Sequence, residues 1–381
     1  MIPANRSIDY MAKKLITVSV ISELTTDQRV IRICTTLQQM GFEVKVIARE
    51  FSNSLPLDSY PFKANRIRCY FRKGFLQYAE FNTKLFFRLF FSKTDYLLSN
   101  DLDTLVPNYI VSLLRRKKIF YDTHEYFTGV PELTEHPFKK RVWKFFENRI
   151  FPRLPVVYTV NESVRNKYQQ EYGNQIGVIR NVPVTSTIIP KEMPQQWKGK
   201  NILLMQGIGI NPGRGGLELL ETMKYLPNNY QLVYIGGGTQ WDTIAEMRKV
   251  WQLEDRVEMI SKLPPAELKR YTPLASLGFT LDGFESENYL FNLPNKIFDY
   301  IHAGVPVVAT PIPEVKLIIE QYACGICLLS QATQDIARLI EELMNNPQQY
   351  QLFKKNTILA AKELCWENEQ QKLIAIYQPW L

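Results

Sequence analysis

The sequence predicts an α/β protein made of two doubly wound, Rossmann-like domains. Three observations carry this. Short apolar runs alternate with helix-period stretches along the chain, the pattern of parallel strands joined by crossover helices. The 381 residues suffice for two domains of ordinary size. A Pro-rich stretch without periodicity, NVPVTSTIIPKEMPQQWKGK over 181–200, divides the alternation into two sets.

In the first set the strands are LITVSVI (15–21), VKVIA (44–48), YLLSN (96–100), KIFYD (118–122) and VVYTV (156–160). In the second they are NILLMQG (201–207), QLVYIG (231–236), VEMI (257–260), LGFTL (277–281) and VPVVAT (305–310). The expected domains span 1–186 and 187–364, facing across a cleft at the carboxyl ends of their sheets, where ligands bind in such folds. A segment from 365 to 381 follows once the second sheet is complete.

Composition narrows the class. Hydrophobic residues at 45% and charged residues at 22% are those of a soluble globular protein. No apolar run approaches the ~18 residues that a bilayer span needs. The opening MIPANRSIDYMAKK lacks the apolar core of a signal peptide. Five scattered cysteines fit a reducing cytoplasm, and Cys324-Gly-Ile-Cys327 has no second pair or nearby His to make it a metal or redox site. The charge is uneven: residues 1–190 carry 28 Lys/Arg against 17 Asp/Glu, or +11, and residues 191–381 carry 18 against 21, or −3. An electropositive first half suits an anionic membrane face or anionic acceptor. Nucleic acid is not expected, because no binding motif accompanies the charge.

The densest chemical signal is ESENYLFNLPNKIFDYIHAGVPVVAT, residues 285–310. Asn292-Leu-Pro-Asn295 ends a loop, Lys296 opens a helix, and Gly304 closes it. A helix N-terminus offers unpaired N–H groups and a positive dipole end to a phosphate. Lys296 adds a full charge in the first turn, where a basic residue is ordinarily unfavourable. Asp299 lies one turn on, on the same face, within reach of a sugar hydroxyl pair. A cation and a carboxylate at one helix mouth suit a nucleotide diphosphate with its ribose. The same residues also read as an ordinary αβ unit with a solvated Lys–Asp pair.

Other positions are candidates of the same kind. After NILLMQG, the small residues Gly207, Gly209 and Gly213 let the backbone approach a ligand, and Arg214 heads a helix. A flexible turn is the alternative. Gly236-Gly-Gly238 closes the next strand. In FYDTHEYFTGVPELTEHP (120–137), His124 falls just past a strand end and faces the expected cleft, where a structural His is equally at home. His302 reads as packing. Asn100-Asp-Leu-Asp-Thr104 contains a literal DxD, but its aspartates open a helix, where Asp caps, so no metal is expected there. Thr26-Asp-Gln-Arg29 starts the first helix.

Asn292–Tyr300, NLPNKIFDY, resembles the donor-binding motif of glycosyltransferase family 4, retaining enzymes of the GT-B fold, in the bacterial subgroup with SLPNKLFEY-like wording. Family members place a Glu five residues before the Gly of an AGxPVVA-like stretch, on the donor ribose. Here that position is Asp299, five before Gly304. The family's first acidic residue has no counterpart at its spacing, with Glu285 and Glu287 both further upstream. Residues 207–221 resemble a QGxxxxGRG stretch that puts a basic residue, here Arg214, on the donor diphosphate. A second Arg of that stretch is replaced by Ile208 or Gly209, and Lys296 is expected to supply the missing charge. The family's His after the corresponding strand, which hydrogen-bonds the donor sugar, is His124. A DxRV-like segment makes Asp27 and Arg29 acceptor-side candidates.

The resemblance therefore implies catalytic roles for His124, Arg214 and Lys296. It implies donor contacts at Gly207, Gly213, Gly236, Glu287, Asn292, Asn295 and Asp299. It also implies a tail, 365–381, that crosses back to the first domain. The activity implied is metal-independent, cofactor-free transfer of a hexose-type sugar from a nucleotide-diphosphate donor. The acceptor is a hydroxyl of a glycan or lipid-linked molecule in cell-surface polysaccharide or glycoconjugate synthesis. A sugar-nucleotide 2-epimerase of the same fold and a non-catalytic sugar-nucleotide-binding subunit are the alternatives. The place expected is the cytoplasm, peripheral on the inner membrane face. FNTKLFFRLFF (81–91) and FKKRVWKFFENRI (138–150), with Lys139, Lys140 and Lys144, are the expected lipid-facing stretches. Core packing with a solvated basic face explains them equally well.

Overall fold

The computed structural model describes residues 13–381 apart from 53, 58, 59, 131, 132, 134, 135, 285 and 286, and gives only the backbone of Glu287 and Asn288. In the first half the elements are β1 Leu15–Ser19, α1 Gln28–Met40, β2 Glu43–Glu50, β3 Lys63–Arg68, α2 Gly74–Phe90, β4 Tyr96–Asn100, α3 Leu102–Leu114, β5 Lys118–Thr123, α4 Pro137–Ile150, β6 Val156–Thr159, α5 Glu162–Tyr172 and β7 Ile176–Val178. The second half holds β8 Asn201–Gly207, α6 Gly216–Thr222, β9 Tyr230–Gly236, α7 Trp241–Val250, β10 Val257–Ser261, α8 Pro265–Tyr271, β11 Leu277–Thr280, α9 Glu287–Leu290, α10 Asn295–His302, β12 Val307–Ala309, α11 Pro313–Tyr322 and β13 Gly325–Cys327. Three helices close the chain: α12 Thr333–Met344, α13 Pro347–Glu363 and α14 Trp366–Tyr377.

The strands form two parallel sheets, ordered β3-β2-β1-β4-β5-β6-β7 and β10-β9-β8-β11-β12-β13. Strand order reverses between β1 and β4 in the first and between β8 and β11 in the second. At such a switch point the loops leave in opposite directions and open a crevice. The central strands are buried on both faces, which is why they read as unbroken apolar runs. The expected strands are present, with ends shifted by up to two residues. Three edge or near-edge strands went unread. KANRIR (β3) alternates polar residues, and IGV (β7) and GIC (β13) have three residues each.

Local rules set the helices. In α1, Val30, Ile33, Cys34 and Leu37 repeat at helical spacing and are buried, and Gly41 ends the helix in the left-handed region at φ 111°. The closing helix α14 leaves the second half and packs on the first sheet. Its Leu373 and Tyr377 enter the core beside Val18, Phe42 and Phe120. Tyr377 stacks on Phe120 with ring centres 4.4 Å apart, and Trp366 Nε1 donates to Thr36 Oγ1 at 3.1 Å.

Two expectations about surface stretches change. In 81–91, Phe81, Leu85 and Leu89 are fully buried, so one face of that helix is core, while Phe87 and Phe91 stay exposed. Lys144 is engaged by the protein: its Nζ lies 2.8 Å from Glu147 and 2.6 Å from Glu171. The Cys324 and Cys327 thiols are pushed up by burial to about 12 and about 11, away from a reactive thiolate. Among the described residues, no helix is long and apolar enough to cross a membrane.

Candidate active site

The carboxyl edges of the two sheets face each other across a cavity of about 460 Å³. Its first-half wall includes Asp27, Arg29, His124, Glu125, Asn161 and Asn181. Its second-half wall includes Gln206, Gly207, Gly209, Arg214, Asn292, Asn295, Lys296 and Asp299. Residues separated by more than 250 positions thus share one space, because both switch points open into it.

The first-half wall is a closed lattice of charges. Arg29, only 2% exposed, donates from Nη2 to Asp122 Oδ1 at 2.6 Å, from Nε to Oδ2 at 2.9 Å, and from Nη1 to the Ile179 carbonyl at 2.6 Å. Asp122 is fully buried and also lies 3.2 Å from His124 Nε2. On the far side of the imidazole, Nδ1 is 3.1 Å from Asp101 Oδ2, and the His124 backbone N–H donates to Asp101 Oδ1 at 2.8 Å. Burial alone would lower the His124 pKa, but the two aspartates outweigh it and raise it to about 10. His124 is therefore an imidazolium at neutral pH, with both ring nitrogens already paired. Asp122 is held below the usual carboxylate range, because Arg29 and His124 overcome the effect of burial.

Asp101 corrects the reading of the DxD. It occupies the cap position of α3, yet its side chain makes no capping bond and turns to His124 instead. Its backbone sits at φ 56°, ψ 169°, a region rarely adopted outside glycine that costs about 1–3 kcal/mol. Asp103 is buried in the first turn, and burial, with Asp101 adding to it, pushes its carboxyl well up. Among the described residues, no group of three or more His, Cys, Asp or Glu is arranged to hold a metal ion.

The acceptor-side candidates are likewise occupied. Asp27 caps α1, accepting from the Val30 N–H at 3.1 Å, and Arg29 belongs to the lattice. Both border the cavity through atoms already committed to the fold.

The second-half wall is looser. Arg214 stands just before α6, which starts at Gly216, so it precedes the helix rather than heading it. Its Nη1 is 3.3 Å from Asp282 Oδ1, and its guanidinium lies over the Tyr289 ring at 4.7 Å. Lys296, in the first turn of α10, has no hydrogen bond or ion pair with the described residues. Burial lowers its pKa, Asp282 opposes that, and Arg214 adds to it. One turn on, Asp299 accepts a 3.3 Å hydrogen bond from Gln206 Nε2. Burial pushes its carboxyl up to about 6 against Lys269, Gln206 and Arg32. Tyr300 fixes this helix under the strand ends: its hydroxyl accepts from the Gln206 N–H at 3.2 Å and reaches the Leu204 carbonyl at 3.1 Å. A Cβ on Gly278 would strike the Tyr300 ring at 2.4 Å, so the strand must carry glycine there.

The remaining donor candidates divide. Gly207 borders the cavity, whereas Gly213 and Gly236 do not. Gly236 is a packing glycine: a Cβ there would lie 1.8 Å from the Gly207 carbonyl oxygen. Asn292 Nδ2 donates to Asp282 Oδ2 at 3.2 Å, and Asn295 Oδ1 accepts from Asn181 Nδ2 at 3.1 Å across the cleft. Glu285 and the side chain of Glu287 lie outside the described residues.

Three residues escaped the sequence reading, Asp122, Gln206 and Asp282, and Asp101 was read only as a cap. Asp282 is 1% exposed and sits between Arg214 and Asn292, at the end of β11 in a switch-point loop. An acidic or amide residue at the carboxyl end of an apolar strand, within it at 122 and 206 and two residues past it at 282, was the available signal.

Two further bonds join the halves. Asn161 Nδ2 donates to the Phe291 carbonyl at 2.7 Å while its Oδ1 caps α5. Glu314 of α11, 4% exposed, accepts from the Ser163 N–H at 2.7 Å, adding a second acceptor to the same helix start.

Residues 27–182 match the family model described as Glycosyltransferase Family 4, and residues 195–359 match that described as Glycosyl transferases group 1. No curated protein matches the sequence. Among solved structures, Anabaena HepE in complex with UDP superposes with TM-score 0.70 at 14% identity, covering 96% of this chain and 100% of that one. Sucrose-phosphate synthase of Thermosynechococcus elongatus gives 0.77 at 16% identity, covering 96% and 99%. A Listeria monocytogenes protein assigned as a UDP-N-acetylglucosamine 2-epimerase gives 0.66 at 14%, covering 97% of each chain. At these identities the likeness is one of fold.

Proposed function

The chain belongs to the GT-B glycosyltransferases of the family-4 type, and from that premise we propose that it is a retaining hexosyltransferase that uses a nucleotide-diphosphate sugar. The observation that carries this is the second-half wall. Two cations, Arg214 and Lys296, stand there, and the carboxylate that pairs with Arg214 and opposes the burial of Lys296 is that of Asp282. A diphosphate supplies the missing negative charge, and Asp299 one turn further on is placed for the ribose hydroxyls. That proteins of the same fold hold UDP and UDP-glucose supports a donor of this class.

In this reading the bond from the sugar C1 to the diphosphate oxygen breaks while a bond from C1 to the acceptor oxygen forms on the same face. The acceptor proton passes to the departing phosphate oxygen. Arg214, Lys296 and the α10 N-terminus stabilise the charge that develops on the leaving group. The His124 imidazolium is a fixed positive charge in the opposite wall and has no free ring nitrogen for proton transfer. No protein nucleophile takes part, and no metal is needed.

The acceptor is the hydroxyl of a glycan or lipid-linked molecule bound by the first half, in cell-surface polysaccharide or glycoconjugate synthesis. The enzyme works in the cytoplasm, at the membrane periphery. Incubation with a panel of nucleotide sugars, reading free nucleotide with and without acceptors, tests this. Acceptor-dependent release that persists in excess EDTA is expected, with the product retaining the donor's anomeric configuration. Isomerisation of the donor without an acceptor points to the epimerase, and binding without turnover to a sugar-nucleotide-binding subunit. Either sinks the proposal.

A further inference from the structure

The first half displays aromatic side chains to solvent at the edge that carries the cavity, three of them outside the two stretches that composition singles out and one, Phe138, at the start of the second. Between β3 and α2, Tyr70 is 85% exposed, and Phe75, in the first turn of α2, is 72% exposed. Phe71 is exposed beside them. In the first turn of α4, Phe138 is 78% exposed. α2 follows β3 and α4 follows β5, so both helices start at the carboxyl edge of the sheet. They are neighbours there: Tyr78 of α2 meets Trp143 of α4 edge to face, with ring centres 5.4 Å apart. Phe75 lies about one turn before Tyr78, and Lys139 about one turn before Trp143, so the exposed rings share one rim.

The display is held in place. Glu80 accepts from the Tyr70 N–H at 2.9 Å and from the Phe71 N–H at 2.9 Å, fixing the turn against α2. Lys84 Nζ lies over the Tyr70 ring at 4.9 Å, bonds Glu80 at 2.6 Å, and donates to the Arg68 carbonyl at 2.9 Å. A turn pinned by its backbone, with its rings pointing outward, is prepared for contact. Arg72, Lys73, Lys139 and Arg141 surround the rings, are exposed, and form no ion pair among the described residues.

We infer that this rim, Tyr70–Phe75 with the first turn of α4, seats the protein on an anionic lipid bilayer, so that a lipid-linked acceptor enters the cleft from the membrane. Aromatic rings at the level of lipid headgroups, bracketed by unpaired cations, match the two chemistries of that surface. A protein partner or a second copy would need acidic groups opposite the four cations, whereas an anionic bilayer presents them everywhere. The inference rests on the lipid-linked form of the proposed acceptor, and its test is separable from that of transfer.

The test uses the full chain and vesicles of phosphatidylcholine with about one part in four phosphatidylglycerol, against phosphatidylcholine alone. Wild type is expected to sediment with the anionic vesicles at low salt and to be released as salt rises. Phe75→Ser with Phe138→Ser, and separately Arg72→Glu with Lys139→Glu, should each weaken binding at least about tenfold. These positions are exposed, so thermal melting should be unchanged, and hydrolysis of the sugar nucleotide should be spared. Wild type that ignores anionic vesicles at low salt overturns the rim. So do variants that bind like wild type, or a self-association of wild type that the serine variant abolishes without any vesicle binding. Calorimetry with nucleotide diphosphates separates the two readings. Nucleotide binding without vesicle binding removes the rim alone, and vesicle binding without nucleotide binding removes the transfer reading alone.

Discussion

The two walls of the cleft are built on the same topological feature and handle charge in opposite ways. In the first half, Arg29, Asp122, His124 and Asp101 alternate in sign and use up one another's hydrogen bonds. In the second half, Arg214 has one long ion pair, to Asp282, beside its contact with the Tyr289 ring, Lys296 has no ion pair among the described residues, and Asp299 is lifted toward neutrality by burial. A saturated lattice keeps its shape but has little left to give a ligand. An unsaturated one is held at an electrostatic cost that a ligand of the right charge relieves. The difference fits rigidity in one wall and, under the proposed function, donor binding in the other.

The largest effect expected is at the saturated wall. Asp122→Asn leaves Arg29 and His124 buried beside a neutral group, and breaking a buried pair this way costs about 3–5 kcal/mol of stability. Denaturant unfolding measures it. The pH dependence carries the same signature. The His124 pKa is raised from 6.5 to about 10 in the folded state, so its contribution is complete below pH 6.5 and is lost as pH rises through about 10. Wild type should therefore lose stability across that window, and Asp122→Asn should lose much less. A flat alkaline profile in wild type would mean that His124 is not clamped as an imidazolium.

At the other wall the ordering of effects reverses. Arg214→Ala and Lys296→Ala should leave unfolding nearly unchanged and lower transfer at least about a hundredfold, close to 3 kcal/mol of lost leaving-group stabilisation each. Near-normal turnover in either variant would take that cation out of the donor site. A large loss of stability would show that the second wall is as structural as the first.

Asp299 tests the electrostatic cost directly. With its pKa raised to about 6, the folded protein takes up a proton more readily than the unfolded chain, so the carboxylate works against folding at neutral pH. Asp299→Asn should melt no lower than wild type at pH 7, yet weaken nucleotide diphosphate affinity by roughly 1.5–3 kcal/mol. In wild type, affinity should fall as pH drops through about 6, because only the ionised carboxylate accepts both ribose hydroxyls. Calorimetry at pH 5 and pH 7 showing equal affinity would dismiss Asp299 as the ribose acceptor.

How legible each wall was follows from the same contrast. Strands buried on both faces announce themselves as apolar runs, so ten of the strands were readable, while β3, β7 and β13 were too polar or too short. The proposed donor-side residues cluster within one loop and one helix, so Asn292, Lys296 and Asp299 could be found together. The first wall is assembled from residues 29, 101, 122 and 124, on three different segments. Spacing carries no trace of an Arg29–Asp122 pair, and a DxD at a helix start looks like a cap until the fold brings His124 beside it. Asp282 was missed for a related reason, since its meaning comes from Arg214, 68 positions away.

The smallest effect expected concerns how the walls are held together. Glu314 reaches from α11 to the Ser163 N–H at the start of α5, where the helix dipole favours a carboxylate. Glu314→Gln keeps an acceptor of the same size and removes the charge, which should cost about 1 kcal/mol of closure. Because this bond touches neither the cavity cations nor Asp299, the loss should fall on the closed state as a whole. Donor affinity and turnover should decline together by several fold, and small-angle scattering of the free protein should show a larger radius of gyration. The walls themselves should be intact, so the alkaline stability profile and the acid-side loss of nucleotide affinity should keep their positions. If Glu314→Gln shifts either profile, the latch is part of a wall. If it alters neither shape nor turnover, the two halves are held closed by their packing alone.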